Sequence, residues 1–85
     1  MRYLKNNIIL VVYKKQEIMN RIKEVLEEKG IKQIWLAEKL GKSYNMINAY
    51  AKNRRQPSLE DLYKIAKILN VGAKELLVEQ NLEEE

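Results

Sequence analysis

The chain has 85 residues, of which 46% are hydrophobic, so it is long enough for one small domain with one core and too short for two. It contains no Cys and no His, which excludes disulfides, thiolate or imidazole metal sites and a histidine proton shuttle. The longest apolar run, residues 8–13, is far shorter than the roughly 20 residues of a membrane-spanning helix. No small-residue cleavage site follows this run, and we expect a cytoplasmic protein without a membrane segment.

The net charge of +4 is concentrated in one segment. Residues 40–58 hold four Lys or Arg, four Asn or Gln and no carboxylate, while the rest of the chain balances twelve cations against twelve anions. Residues 1–16 also lack acids, whereas residues 79–85 are acidic. A charge cluster can be a solvated face, but a concentrated basic patch in a small domain also suits a polyanion, most commonly nucleic acid.

The first predicted element is a strand over "IILVVY", residues 8–13, because β-branched residues favour strands. A lone strand is unstable in water, so this segment must pair with something or remain loose. A helix is then predicted over residues 17–29 and ends at Gly30, which can adopt the left-handed conformation of a C-cap. Its apolar residues, at helical spacing, are Ile18, Ile22, Val25 and Leu26.

A second helix is predicted over "QIWLAEKL", residues 33–40, with Leu36, Ala37 and Leu40 on one face and Gly41 at its end. The two Ser residues of the chain, Ser43 and Ser58, each precede a helical pattern, and we predict that both are N-caps. The helix after Ser58 covers residues 59–69. Its apolar side consists of Leu59, Leu62, Ile65, Ala66 and Leu69.

The helix after Ser43, "YNMINAYAK", is predicted to turn Ile47, Tyr50 and Ala51 inward. Asn53 can end it in a left-handed conformation. A last short helix is predicted over residues 73–78, which brings the number of predicted helices to five.

The opposite side of the helix after Ser43 has the chemistry to contact base edges. It presents Tyr44, Asn45, Asn48 and Ala49. An Asn amide can offer an acceptor and a donor together to adenine, and the Ala49 methyl can meet a thymine methyl, while cations beyond the helix grip phosphate. The alternative is a solvent-facing helix in a protein-binding module, with the Asn residues serving as caps and turn formers.

Residues 18–78 carry the motifs "Q..LAEKLG.S...I", "PSLE.L..IAK.L.V" and "ELL" in this order. In these motifs the chain resembles the helix-turn-helix domain of the lambda repressor and Cro family, also called the XRE family. The resemblance implies an all-α, five-helix lambda-repressor-like DNA-binding domain, and the β-branched composition of residues 8–13 adds an N-terminal strand-like extension. The expected organisation is an extension over residues 1–16, the domain over residues 17–78 and an acidic tail over residues 79–85.

The resemblance also implies a division of roles among the site residues. Residues 43–52 would form the recognition helix in the major groove, with base contacts from Tyr44, Asn45, Asn48 and Ala49. Contacts to the DNA backbone would come from Gln33, Lys42, Ser43, Lys52, Asn53, Arg54 and Arg55. Ser43 is either a cap alone or a cap that also contacts phosphate, since helix N-termini bind phosphate through their N–H groups.

The sequence departs from the family pattern at three places. Asn53 stands where Gly is common, and Lys32 replaces the usual Ser or Thr cap. Ile34 and Trp35 occupy positions that are usually polar. Two interpretations stay open for them: an aromatic residue leaning on its own domain, or mutual burial with the N-terminal segment within a chain or across a dimer. The residues of this packing hypothesis are Ile8, Ile9, Leu10, Val11, Val12, Ile34 and Trp35, but residues 1–16 could equally be a loosely held extension.

The expected function is sequence-specific binding of double-stranded DNA by a transcriptional repressor that acts as a homodimer. Antitoxins and restriction-modification controllers share the fold, so a toxin or other regulatory partner is an alternative, as is a protein-interaction adaptor that has lost DNA binding. We do not expect an enzyme, a cofactor or a metal site. The sequence shows no pair of catalytic acids, no nucleophile beside a base and no phosphate-binding Gly-rich loop.

Overall fold

A computed structural model of the protein describes residues 18–78. The elements in chain order are α1 (Ile22–Lys29), α2 (Gln33–Leu40), α3 (Tyr44–Ala51), α4 (Leu59–Leu69) and a 3-10 helix (Ala73–Leu76). The described part of the chain is therefore helical, with four α-helices and one short 3-10 helix where five helices were predicted. The predicted strand over residues 8–13 lies outside the described residues.

The first helix begins later than the sequence pattern predicts. It starts at Ile22, and Ile18 is exposed rather than turned into the core. The side-chain oxygen of Asn20 accepts a hydrogen bond from the Ile22 N–H at 2.9 Å, which satisfies a helix-start donor just where the helix begins. The residues before the helix instead run antiparallel to the end of the domain, through an isolated bridge between Asn20 and Leu77.

The same bridge shortens the last predicted helix. The Arg21 N–H donates to the Leu76 carbonyl at 2.8 Å, and the Val78 N–H donates to the Met19 carbonyl at 3.1 Å. Residues 77 and 78 are therefore paired with the chain before α1. The predicted helix over residues 73–78 is reduced to one 3-10 turn that ends at Leu76.

The structure contains the N-caps predicted at the two Ser residues and the C-cap predicted at Gly41. The Ser43 and Ser58 side chains accept hydrogen bonds from the Met46 and Asp61 N–H groups at 3.1 and 3.0 Å. Gly41 has a left-handed φ of 76°, and the space where a Cβ would lie is open, so its conformation rather than crowding favours glycine. Lys32 provides no side-chain cap to α2, as expected from the replaced Ser or Thr.

Every described helix contributes to one core. The largest fully buried side chains are Ile22, Leu36, Ile47, Ile65 and Leu76, one from each element. A second core prediction, besides Ile18, is wrong: Leu59 is 66% exposed and borders a surface groove with Met19 and Leu77 instead of joining the core.

Candidate nucleic-acid interface

Two helices and a three-residue turn form the framework of the candidate interface. The α2 helix ends at Leu40, Gly41 turns the chain in a left-handed conformation, and α3 begins at Tyr44. Leu36 and Ile47 are both fully buried, which fixes α3 against α2 through the core. The orientation of α3 is therefore set by packing rather than by the turn alone.

The outer side of α3 is open to solvent. Tyr44 is 46% exposed and Asn45 is also exposed, while Asn48 and Ala49 are half-buried. The inward side holds Ile47, Tyr50 and Ala51. The structure thus brings the four residues predicted to contact bases onto the face of α3 that the core leaves free.

A chain of hydrogen bonds crosses this face. The Asn48 side-chain NH₂ group donates to the Gln33 side-chain carbonyl at 3.0 Å, and the Arg54 guanidinium donates to the Asn48 side-chain carbonyl at 3.3 Å. Three residues from α2, α3 and the loop after α3 are thereby joined. Sequence reasoning placed all three in the site but did not predict that they contact one another, because the pattern of residues does not give side-chain directions between helices.

The cations of the candidate site differ in their surroundings. Lys52, Arg54 and Arg55 are exposed on the loop after α3, and we call residues 52–56 the basic loop. Lys42 instead lies 3.4 Å from the carboxylate of Asp61, at the start of α4. Because that carboxylate partly neutralises its charge, Lys42 is less available for phosphate than the cations of the basic loop.

Asn53 combines two roles. Its φ of 60° is left-handed, as predicted for the residue that ends the helix. Its side chain is bonded to the segment before α1: its oxygen accepts from the Met19 and Asn20 N–H groups at 2.8 and 2.9 Å, and its NH₂ group donates to the Asn20 carbonyl at 3.1 Å. The contact of Asn53 with the DNA backbone stays a prediction.

Asn20 is a residue that the sequence analysis missed. It is 2% exposed, and within residues 18–78 it is the only polar residue that is buried. Its NH₂ group donates to the Tyr50 carbonyl at 3.0 Å and to the Gln56 side-chain carbonyl at 2.8 Å. The available signal was its position, since an Asn two residues before an apolar helical pattern is a common helix-start residue.

Ile34 and Trp35 form a second, apolar surface. They are 49% and 40% exposed, and they line a groove of about 500 Å³ together with Gly30 and Ile31. The Lys39 ammonium lies over the Trp35 ring, 5.3 Å from its centre. The segment predicted to cover these two residues, Ile8 to Val12, lies outside the described residues, so their mutual burial stays a prediction.

Residues 18–78 contain neither a cluster of metal ligands nor a membrane-spanning helix. No group of three or more His, Cys, Asp or Glu side chains is placed there to hold a metal ion. None of the helices in this part of the chain has the length and apolar character needed to cross a bilayer.

A polar, exposed helix held against a second helix by a short turn is the arrangement that defines helix-turn-helix proteins. The chain belongs to the helix-turn-helix family, whose family model matches residues 22–76. It is also similar to a crystal structure of a "putative DNA-binding protein" from Bacteroides fragilis. The two share 48% sequence identity over 72% of this chain and 100% of that chain, with a TM-score of 0.70. A search of curated proteins found no match.

Proposed function

We propose that the protein is a transcriptional regulator that binds double-stranded DNA in a sequence-specific manner through α3. The observation that carries this proposal is the division of α3 into a side buried in the core and an exposed polar side next to the acid-free basic loop. Membership of the helix-turn-helix family supports it, as does the similarity to the Bacteroides fragilis protein.

We assign the recognition of DNA bases first to Asn45. Its side chain is exposed in the first turn of α3, where recognition helices present residues to base edges. The major groove, about 12 Å wide, admits an α-helix, and an Asn amide can bond adenine N6 and N7 at once. Tyr44 and Ala49 would add contacts with the apolar parts of the bases.

Contacts with the DNA backbone are assigned to both ends of this surface. Arg54 and Arg55 supply exposed guanidinium groups on the basic loop, and these can form charge-assisted bonds with phosphate oxygens. Gln33 lies at the start of α2, a helix without a side-chain cap, where N–H groups and the helix dipole favour an anion. Lys52 and Ser43 are also exposed, and they belong to the proposed set together with Asn53. Lys42 completes the set, although its charge is shared with Asp61.

We also propose that the protein acts as a homodimeric repressor on a near-palindromic operator. Two copies would place their recognition helices about 34 to 36 Å apart on one side of the duplex. The apolar surface of Ile34 and Trp35, covered by residues 8–12 of the same or a second copy, is the proposed packing site of the extension.

The apolar groove beside Trp35 also favours a second candidate function. A protein-interaction adaptor could use this groove for a regulatory partner, such as a toxin in an antitoxin pair, without any use of α3. The two candidates differ in a simple respect, because only the DNA-binding regulator depends on the charges of the basic loop.

The proposed function is tested by selecting bound sites from a random duplex library and titrating binding to the selected site with salt. Replacement of both Arg54 and Arg55 with Ala should weaken binding to all sequences and reduce the salt slope by up to about two units. The matched control replaces two exposed lysines of α4, Lys64 and Lys67, with Ala. It removes the same net charge as the arginine variant, but from a helix instead of the basic loop. The control should leave the slope nearly unchanged.

Two results would contradict this proposal. One is the absence of binding to duplex DNA even at low salt, which would favour the adaptor. The other is an equal loss for the arginine and lysine variants, since it would mean that binding follows net charge rather than a defined surface.

A further inference from the structure

The buried side chain of Asn20 connects three parts of the domain. It bonds the helix start of α1 through the Ile22 N–H, the end of α3 through the Tyr50 carbonyl and the basic loop through the Gln56 side chain. Its main-chain N–H and carbonyl are both bonded to the side chain of Asn53. We call Asn20, Asn53 and Gln56 the amide cluster.

The amide cluster has its hydrogen bonds satisfied within itself and by its immediate neighbours. The Gln56 NH₂ group donates to the Asn53 side-chain oxygen at 3.0 Å, so each of the three residues is bonded to the other two, Asn20 and Asn53 through the main chain of Asn20. A buried amide without partners would destabilise the fold, whereas a fully bonded one orders the segments that it joins. The cluster therefore holds the start of α1, the end of α3 and the basic loop together at the edge of the apolar core.

The two arginines of the proposed backbone contact lie between the two loop members of the cluster. Asn53 immediately precedes Arg54, and Gln56 immediately follows Arg55. The Arg54 and Arg55 N–H groups both donate to the Ala49 carbonyl, at 2.9 and 3.3 Å. The main chain of the two arginines is thus held by the amide cluster on each side and by the Ala49 carbonyl in between.

We propose that the amide cluster is a positioning device for the arginines that contact the DNA backbone. It orders the basic loop during folding, so the conformational entropy of that loop is not lost again when phosphate binds. The inference rests on the proposed function, and it adds Asn20 and Gln56, neither of which is expected to touch DNA, to the residues that determine affinity.

A cluster that only stabilises the fold would behave differently in one measurable respect. Its loss would lower the free energy of unfolding and leave the effect of the arginines unchanged. A positioning cluster acts through Arg54 and Arg55, so its contribution to binding must disappear when those side chains are absent. A double-mutant cycle separates these two cases.

The test uses two variants that leave the buried Asn20 side chain in place. Asn53→Gly retains a residue suited to the left-handed conformation and removes the amide, and Gln56→Ala truncates an exposed side chain. Asn20→Ala is avoided, since loss of a buried group would act on folding first. The matched control is Asn70→Gly, the same exchange at the left-handed C-cap of α4, where φ is 59°.

Affinity for a duplex of random sequence is measured at low salt, in the full chain and in a chain with Arg54→Ala and Arg55→Ala. We expect Asn53→Gly and Gln56→Ala to lower affinity about three- to tenfold in the full chain, from the ordering entropy of about one residue. In the chain without the two arginines Gln56→Ala should lower it by less than about twofold, and Asn53→Gly should lose only what its own proposed contact with the DNA backbone contributes. Asn70→Gly should have no effect in either background.

Equal losses for Gln56→Ala in both backgrounds, or no loss in folded variants, would overturn the inference. Circular dichroism at the assay temperature shows that the variants are folded. If the chain binds and the arginine variant loses affinity while the cluster variants match the full chain, the proposed function stands and the positioning role falls. If the full chain does not bind duplex DNA, both fall together.

Discussion

At the scale of single residues, the two asparagines of the exposed α3 face have different surroundings. Asn45 is exposed, whereas Asn48 is half-buried and bonded to Gln33 on one side and Arg54 on the other. The Asn48 amide keeps a second N–H and a second oxygen lone pair, so it can bond a base while both of these bonds persist. Asn48 is therefore placed to align Gln33 and Arg54, two side chains proposed to contact the DNA backbone, in addition to its own proposed base contact.

This difference predicts two kinds of binding defect. Asn45→Ala should cost about 1 to 3 kcal/mol on the selected site and leave binding to scrambled duplex nearly unchanged. Asn48→Ala should weaken binding to both duplexes, because Gln33 and Arg54 lose their shared partner. Titration of each variant with both duplexes measures the two effects. If Asn48→Ala left the scrambled duplex unaffected, the bonds to Gln33 and Arg54 would have no part in binding.

At the scale of elements, the packing of α2 against α3 and α4 determines the direction of the exposed face of α3. Leu36 is fully buried in the middle of α2, and α2 packs against both of these helices. A cavity at this position would remove contacts on both sides of α2. The site therefore depends on a residue that cannot touch DNA.

We predict that Leu36→Ala lowers the free energy of unfolding by about 2 to 5 kcal/mol, from lost transfer energy and the cavity left behind. The matched control is Leu59→Ala, the same truncation at an exposed position, which should change it by less than about 0.5 kcal/mol. Urea denaturation followed by circular dichroism measures both. Similar losses for the two variants would mean that Leu59 is covered in solution, for example by a second copy.

At the scale of the whole molecule, the feature that the fold of residues 18–78 does not explain is the pair of exposed apolar residues on α2. Ile34 and Trp35 lie at positions where a solvent-facing helix would carry polar residues, and the groove beside them has room for further side chains. The proposed occupant is the apolar segment of residues 8–12, from the same copy or its partner.

We predict that the full chain is a dimer and that a double variant, Ile34→Glu with Trp35→Glu, is a folded monomer, because two carboxylates would be buried without partners in the assembled state. Sedimentation equilibrium measures the mass. Tyr63→Glu, at an exposed aromatic residue of α4, is the control and should remain dimeric. A dimeric double variant would show that this surface does not hold the copies together.

Much of the fold was predictable because its signals are local. Ser43, Ser58 and Gly41 mark helix ends through bonds and φ angles that involve only neighbouring residues, and all three were assigned correctly. The inward sides of α2 and α3 followed from helical spacing. The exposed polar side of α3 followed from the same spacing, as the residues that the core does not use.

The errors occurred where distant segments meet. Ile18 fits the apolar spacing of α1, but the pairing of residues 19–21 with residues 76–78 stops the helix before it reaches Ile18. The same pairing shortens the last helix. Leu59 has the spacing of a core residue, yet it borders a surface groove beside Met19.

The sequence by itself determined helices α2, α3 and α4, the caps at Ser43, Ser58 and Gly41, the absence of acids from residues 40–58 and membership of a helix-turn-helix family, since each depends on near neighbours or on motif spacing. Only the tertiary structure decided that Asn20, thirty-three residues from Asn53, bonds the basic loop, and that Asn48 joins Gln33 to Arg54. Such bonds depend on how helices are placed in space, and side-chain direction across a fold is fixed only after the core has packed.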